Sequence, residues 1–332
     1  MSLPASTLPS LVVHADWGTA ASKRWMTCAV RAGDRFTVGP PEPVGDTSTL
    51  LRRLQSSGLG GPVIVGFDFP IGVASTYAQK AGVDRFLTWL PRLGAGEWDR
   101  FYDVAERPED ISTRRPFYPM RNGRRGETPQ CHLLNALGMN TSNDIRRQCE
   151  FHNSERRAAS PLFWTMGAQQ VGKAAISGWG EVLGPGLGDP ELALVIWPFS
   201  GRLRKLMKSG HLVVVETYPA EFYHHLGVVW SSSAPGQKSG KRSQSDRAAN
   251  AHSLMVWADT SGVDLDPSLQ DAIQNGFGSS ASGEDQFDAT IGLFGMLNLL
   301  LGHRAIYEPE SDEIRNIEGW IFGQRATEAK SG

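Results

Sequence analysis

The sequence predicts an α/β protein, namely a mixed sheet flanked by helices with a large, mainly helical insertion. Three short apolar runs have the length and composition of buried strands, and they lie at residues 11–15, 63–67 and 211–215. A helical pattern precedes the second run and permits a parallel crossover. Between residues 71 and 208 the strand pattern is lost, and the chain becomes rich in Trp, Arg, Pro and Gly. We therefore interpret this stretch as an insertion.

The first part of the sheet is predicted by its turns and caps. After the first strand, a turn at residues 16–19 leads into an antiparallel return strand at residues 25–31, and a Gly-containing turn leads into a short strand at residues 35–38. Asp46 can cap a helix that ends near Gly58, just before the next strand. Three antiparallel strands, a helix and a further strand give the element order of a ribonuclease H-like fold.

The second part of the chain returns to regular structure after the insertion. We expect one domain over residues 11–323, with core segments 11–70 and 209–323 and with loose tails at 1–10 and 324–332. The insertion, 71–208, is expected to cover the strand ends. The expected helices are 78–90, 97–104, 161–173, 203–208, 219–226, 247–257, 264–273 and a last long helix from about 283 to 301, and residues 231–246 are expected to form a loop.

Composition limits the class of protein. The chain has 332 residues, 40% of them hydrophobic and 20% charged, which is typical of a globular protein. A net charge of −2 argues against a general polyanion-coating protein but allows a local basic groove. Its three cysteines show no paired spacing, which indicates a reducing compartment. We find neither a signal-peptide pattern nor an apolar run of about 18 residues, so we expect a cytoplasmic protein that does not act at a membrane.

An acidic residue follows each of the three apolar runs, at Asp16, Asp68 and Glu216. Because sites in open α/β sheets form outside the carboxyl ends of the strands, we expect these side chains to converge. Asp285 and Asp288 begin the last long helix and are three residues apart, so they share a helix face. Asp288 also adjoins the apolar face that packs on the sheet, where a charge needs a partner.

Several carboxylates at one sheet edge repel one another unless a cation neutralises them. Oxygen ligands of this kind suit Mg²⁺ or Mn²⁺, and two such ions ~3.5–4 Å apart can promote phosphodiester hydrolysis. We therefore expect a metal-dependent phosphodiester hydrolase. The expected catalytic residues are Asp16, Asp68, Glu216 and Asp288, and the expected metal ligands are Asp16, Glu216, Asp285 and Asp288.

Four segments resemble the motifs of a known family, in the same order. They are HADWGTAASKRW at 14–25, VGFDFPIGV at 65–73, VVVETYPAEFYHHLG at 213–227 and EDQFDATIGLFG at 284–295, and EGW at 318–320 resembles the family's C-terminal end. The family is the predicted RNase H-like nucleases catalogued as domain of unknown function 429. The resemblance spans about residues 11–322, loosely over 71–210. It implies a ribonuclease H-like fold and the acidic residues Asp16, Asp68, Glu216 and Asp288, while Gly18-Thr19 departs from the expected Ser-Gly-type turn.

Basic and hydroxyl side chains near the strand ends, and in two basic loops, are expected to hold the phosphates of nucleic acid or of another phosphate ester without base specificity. The alternative for such loops is a solvated surface that binds nothing. The expected substrate-binding residues are Thr19, Ser22, Lys23, Arg24, Arg121, Arg124, Lys241 and Arg242.

Two other functions remain open. The turn at residues 16–19 resembles the first phosphate loop of actin-type and sugar-kinase-type phosphotransferases, although no second Gly-rich phosphate turn is evident between residues 150 and 300. A non-catalytic nucleic-acid-binding module would instead keep the acids as salt-bridge partners, with Lys23 or Arg24 beside Asp16 and with Lys241 or Arg242 beside Glu216. Stabilisation by metal ions or by nucleotides distinguishes these functions.

Overall fold

The computed structural model describes residues 7–120, 129–152, 158–166, 171–230 and 240–326. Within these ranges the chain forms a mixed α/β fold, in which helices flank an eight-stranded mixed sheet. The strands are β1 Leu11–Asp16, β2 Trp25–Ala32, β3 Arg35–Val38, β4 Glu42–Pro43, β5 Val63–Phe67, β6 Leu194–Ile196, β7 Leu212–Glu216 and β8 Val263–Leu265.

The α-helices are short except for the last. They are α1 Thr47–Ser57, α2 Ser75–Ala81, α3 Phe86–Trp89, α4 Gln130–Ala136, α5 Val171–Gly178, α6 Gly184–Gly188, α7 Leu203–Leu206, α8 Gln244–Ala249, α9 Ala251–Thr260, α10 Pro267–Gln274 and α11 Gly283–Leu300. Single π-helical turns are formed by Trp179–Leu183 and Ile314–Glu318. Among the described residues, no helix combines the length and the apolar character needed to cross a membrane.

The described residues divide into two compact units. The first unit is formed from residues 7–68, 204–307 and 322–325, and the second from residues 69–203 and 308–321.

The first unit contains the strands that carry the predicted acidic residues. Its strand order is β7-β5-β1-β2-β3-β8, and β4 pairs with β2. The β1, β2 and β3 strands are antiparallel neighbours, as expected, whereas β5 and β7 continue the sheet parallel to β1. Every residue of β5 and β7 is buried, which explains why β5 is apolar throughout and why β7 is apolar up to its last residue, Glu216.

Helix α11 packs closely on one face of this sheet. A Cβ added at Gly292 would lie 2.2 Å from the His14 ring of β1, and one added at Gly66 of β5 would lie 2.6 Å from the Met296 sulfur. The two glycines therefore permit a close approach of helix and strand. Because side chains alternate along a strand, His14 and Asp16 point to the face of the sheet that α11 covers.

The second unit is organised around buried aromatic rings and a buried carboxylate. Glu318 accepts hydrogen bonds from the Ser75 backbone N–H and Oγ (3.1 and 2.7 Å) and from the Gln148 N–H (2.7 Å). Gly72 has φ +131°, and a Cβ there would lie 2.1 Å from the Glu318 carbonyl oxygen. Two of the quoted motifs, VGFDFPIGV and EGW, thus contribute packing residues to this unit.

Several predicted helices differ from those in the structure. The helix predicted at 264–273 is preceded by strand β8, and it starts only at Pro267. The 78–90 helix is interrupted by Gly82 in the left-handed conformation, and residues 219–226 form two 3-10 turns instead of a helix. Strands β4 and β6, of two and three residues, are too short for a periodic signal. Residues 167–170 of the predicted 161–173 helix and 231–239 of the predicted loop lie outside the described residues.

Candidate carboxylate site

Asp16 and Asp68 lie side by side at the end of two parallel strands. Asp16 is the last residue of β1, and Asp68 follows β5, whose Phe67 is in register with Ala15. The Asp68 Oδ1 accepts a hydrogen bond from the Trp17 N–H (2.7 Å), and the carboxyl groups of Asp16 and Asp68 hydrogen-bond each other.

Asp288 brings a third carboxyl group to the same place from α11. It lies one helical turn before Gly292, on the helix face that packs on β1, and its side chain is buried. Its Oδ1 accepts a hydrogen bond from the Tyr223 hydroxyl (3.2 Å), and its Oδ2 accepts one from the Lys241 ammonium. We refer to Asp16, Asp68 and Asp288 as the carboxylate cluster.

Burial and mutual repulsion raise the pKa values in the cluster. Burial raises the pKa of Asp16 well above its usual range, and the negative charges of Asp68 and Asp288 raise it further. Burial also raises the pKa of Asp68 to about 7, although the hydrogen bonds from Trp17 and Asp16 oppose the shift. Asp16 and Asp68 are each partly exposed as residues, whereas Asp288 is buried.

Lys241 supplies positive charge to the cluster. Burial alone would lower the pKa of Lys241, but the negative charges of Asp288 and Asp16 outweigh it and raise that pKa. The Asp288 pKa is nevertheless raised, because the burial of that carboxyl outweighs the attraction of the ammonium. The ammonium also lies 3.5 Å from Glu284 Oε1. A single lysine therefore does not offset the cost of burying three acidic groups.

Asp285 lies at the margin of the cluster. Its carboxylate forms an ion pair with Lys23 (3.1 Å), which also donates to the Ala281 carbonyl oxygen (3.0 Å). The Asp285 pKa is raised by burial, against the charge of Lys23, and its negative charge contributes to the raised Asp16 pKa. The predicted helix-face pair of Asp285 and Asp288 thus exists, with a different basic partner for each acid.

Glu216 does not belong to the cluster, although its position at a strand end was predicted correctly. It is in register with Phe67 and Ala15, one residue before the level of Asp68 and Asp16. Because side chains alternate, Glu216 points to the sheet face opposite α11, the face on which Trp17 packs edge-on against Phe67 (5.5 Å). Glu216 therefore does not converge with Asp16 and Asp288 as we expected from the sequence.

Arg24 has a structural role instead of the expected contact with phosphate. It is buried, and its Nε and Nη2 donate to the carbonyl oxygens of Gly18 (2.8 Å) and Thr19 (3.0 Å). Its guanidinium lies 4.5 Å from the centroid of the Trp17 ring. Arg24 thus fixes the turn that follows Asp16, and its donors are directed at the backbone.

The other expected substrate-binding residues lie in different surroundings. Thr19, Ser22, Lys23 and Arg242 are exposed, and Lys241 is partly exposed. Lys23 binds Asp285, and Lys241 binds Asp288. Arg121 and Arg124 lie outside the described residues.

Comparisons with known proteins do not assign the site. No protein-family model, no curated protein and no solved structure matches the chain. In the part of the chain that the structure describes, no three His, Cys, Asp or Glu side chains are arranged to hold a metal ion as they stand.

Two residues of the site were missed by reasoning from sequence. Tyr223 lies within a quoted motif, but an aromatic residue after a strand gives no signal of a hydrogen bond to an acid far along the chain. Arg247 is buried and donates to the carbonyl oxygens of Lys241 (2.5 Å), Gly276 (2.8 Å) and Gly278 (2.7 Å). It positions the turn that carries Lys241, whereas the sequence placed it only at the start of the expected helix at residues 247–257.

Proposed function

We propose that this protein is a metal-dependent phosphodiester hydrolase of the ribonuclease H-like type, with Asp16, Asp68 and Asp288 as its functional carboxylates. The observation that carries the proposal is their meeting at the ends of β1 and β5 and on the facing turn of α11. Such a cluster of buried, mutually repelling acids has a cost in folding free energy, and groups with strongly shifted pKa values concentrate at functional sites.

The donor set suits a hard divalent cation. The cluster offers carboxylate oxygens, which are the ligands that Mg²⁺ and Mn²⁺ prefer, and a bound cation would favour the ionised forms that burial disfavours. Asp16, Asp68 and Asp288 would hold the ion, with Lys241 moving away from Asp288 to admit it. A bound Mg²⁺ supplies Lewis acidity, which activates water and stabilises the charge of a leaving oxygen.

The surrounding residues have distinct tasks in this proposal. The Trp17 N–H orients Asp68, and the Tyr223 hydroxyl orients Asp288. Once released from Asp288, the Lys241 ammonium is placed to hold a substrate phosphate beside the cluster. The exposed Arg242 next to it adds charge that favours a polyanionic substrate without reading base sequence.

A non-catalytic binding module is the second candidate function, and one observation favours it. Asp288 and Asp285 each already bind a lysine, and the side chains as placed do not form a metal-ligand group among the described residues. The phosphotransferase alternative has less support, because the Trp17 N–H, a backbone donor of the turn, is directed at Asp68 and is not available to a phosphate.

Metal-linked stability distinguishes the hydrolase from the binding module. We expect Mn²⁺ or Mg²⁺ to raise the melting temperature of the wild-type protein, since a ligand at 100 times its Kd adds about 2.7 kcal/mol to the free energy of unfolding. Asp288→Asn should abolish this rise, whereas Asp264→Asn, at an exposed acid paired with Arg35, should retain it.

Hydrolysis is then measured on labelled single-stranded and branched nucleic acids with Mn²⁺. We expect Asp288→Asn to lose turnover and Asp264→Asn to keep it. A wild-type protein whose melting temperature does not respond to either metal, and which binds but does not cleave these substrates, would establish the binding module instead.

A further inference from the structure

The Lys241 ammonium lies where the negative charges of the carboxylate cluster converge. It donates a hydrogen bond to Asp288, and its Nζ atom lies 3.5 Å from Glu284 Oε1. Its positive charge also opposes the rise in the pKa values of Asp16 and Asp68, so it acts on all three carboxyl groups of the cluster. A divalent cation held by Asp288 would need the carboxylate that the ammonium binds, and the two positive charges would repel each other.

The backbone around Lys241 is held in place, whereas the end of its side chain is accessible. The Lys241 carbonyl oxygen accepts a hydrogen bond from Arg247 (2.5 Å), and the Gly240 N–H donates one to Asp246 (2.7 Å). The Lys241 side chain is 41% exposed and ends in a compact ammonium on a flexible four-carbon stem. The ammonium can therefore leave Asp288 for solvent while the turn keeps its hydrogen bonds.

We propose that Lys241 is an internal counterion that competes with divalent metal ions for Asp288 and thereby sets the metal affinity of the carboxylate cluster. The proposal rests on the metal-dependent function proposed above and names a residue that regulates it. Because the metal ion and the ammonium repel each other and need the same carboxylate, the metal binds only as the contact between Lys241 and Asp288 breaks. The free energy of that contact is subtracted from the free energy of metal binding, so Lys241 stabilises the metal-free state and lowers the metal affinity.

Lys23 provides a matched comparison for Lys241. Each lysine forms an ion pair with one acid in the first two turns of α11, Lys23 with Asp285 (3.1 Å) and Lys241 with Asp288. The two side chains are similarly exposed, 45% for Lys23 and 41% for Lys241. Asp285 lies at the margin of the cluster, whereas Asp288 belongs to it. Removing either lysine takes away one positive charge, but only the loss of Lys241 frees a carboxylate of the cluster.

The affinity for Mg²⁺ is measured by titration calorimetry on the full-length protein, after removal of metal ions with a chelator and dialysis. The titrations are run at constant ionic strength and at pH 8.5, above the Asp68 pKa of about 7, so that protons compete little with the metal. We expect Lys241→Met to bind Mg²⁺ at least about tenfold more tightly than the wild type, because the competing charge is gone. Lys241→Arg, which keeps the charge, and Lys23→Met should each stay within about threefold of the wild type.

An increase in affinity separates competition from a structural role of Lys241, because damage to the fold does not tighten metal binding. Lys241→Gln is a second uncharged variant and should show the same gain. No tighter binding by the uncharged Lys241 variants, or equal tightening by Lys23→Met, overturns the inference and leaves the proposed hydrolase standing, since the wild type still binds the metal. Absence of Mg²⁺ binding by the wild type and by these variants alike overturns the proposed metal-dependent function and this inference with it. Binding by the uncharged Lys241 variants alone supports the inference, because the ammonium then excludes the metal at the concentrations used.

Discussion

Replacing Asp68 with Asn tests the charge of the carboxylate cluster without changing its shape. Burial raises the pKa of Asp68 to about 7, whereas the carboxyl in an unfolded chain titrates near 3.9. Between about pH 4 and pH 7 the folded protein therefore binds more protons than the unfolded chain, and its stability falls as the pH rises through this window. Asn carries no charge at any pH and still offers an oxygen to the Trp17 N–H.

The size of the effect follows from the pKa difference. About three pKa units at 1.36 kcal/mol each give an upper limit of roughly 4 kcal/mol for the cost of ionised Asp68 above pH 7. Asp68 is partly exposed, and hydration of its ionised form lowers this upper limit, so we expect a cost of about 2–4 kcal/mol. Asp68→Asn should therefore be more stable than the wild type by about 2–4 kcal/mol at pH 8 and about equally stable near pH 4.

Urea unfolding followed by tryptophan fluorescence, with a chelator to remove metal ions, measures this difference across the pH range. Asp264→Asn is the matched control, because the hydrogen bond from Arg35 lowers the pKa of Asp264. That variant should be less stable than the wild type at pH 8 and approach it only in acid. An Asp68→Asn protein that is less stable than the wild type at pH 8, or whose deficit does not change with pH, refutes the reasoning and identifies Asp68 as a structural partner.

Three further predictions use the same unfolding and melting measurements. Lys241→Met removes the hydrogen-bonded ammonium from Asp288 and should cost about 1–3 kcal/mol in urea unfolding, whereas Arg242→Met at the exposed neighbour should cost little; equal losses would contradict the assigned contact. Glu216→Gln should leave any Mn²⁺-dependent rise in melting temperature unchanged, because Glu216 points to the other sheet face. Loss of that rise in the variant would show that Glu216 belongs to the metal site. Gly292→Ala should lower the melting temperature, since its Cβ would lie 2.2 Å from the His14 ring, and overpacking costs about 1–3 kcal/mol; an unchanged value would mean that the helix shifts freely.

The strands that carry the cluster could be predicted because their sequences contain the necessary information. Residues 63–67 are apolar without interruption and residues 11–15 are apolar except for His14, as expected for strands buried on both faces, and an acid follows each run. The helix between them allowed a parallel pairing, and the structure pairs β1 and β5 in parallel. With that pairing, Asp16 and Asp68 become neighbours.

Glu216 shows where this reasoning fails. An apolar run followed by an acid predicts where a strand ends. Whether that acid lies beside the acids of neighbouring strands depends on the register in which the strands pair. Glu216 pairs with Phe67 rather than with Asp68, and a displacement of one residue moves a side chain to the other face. The sequence of residues 211–216 does not reveal this register, because the residues of β7 are buried on both faces of the sheet and show no alternation of apolar and polar side chains.

The basic residues near the cluster show a second limit, since their roles depend on what lies beside them. Lys241 and Arg247 are six residues apart and carry the same charge, yet one binds Asp288 and the other binds three backbone carbonyl groups. Arg247 has a planar guanidinium whose several N–H groups can serve carbonyls in different directions, whereas the lysine ammonium acts as a compact charge. The arginine is therefore suited to hold the turn from a buried position, and the lysine is suited to act as the counterion of Asp288. Under the proposed hydrolase function, the cation displaces the Lys241 ammonium from Asp288, and the three Arg247 hydrogen bonds keep the backbone of the turn in place.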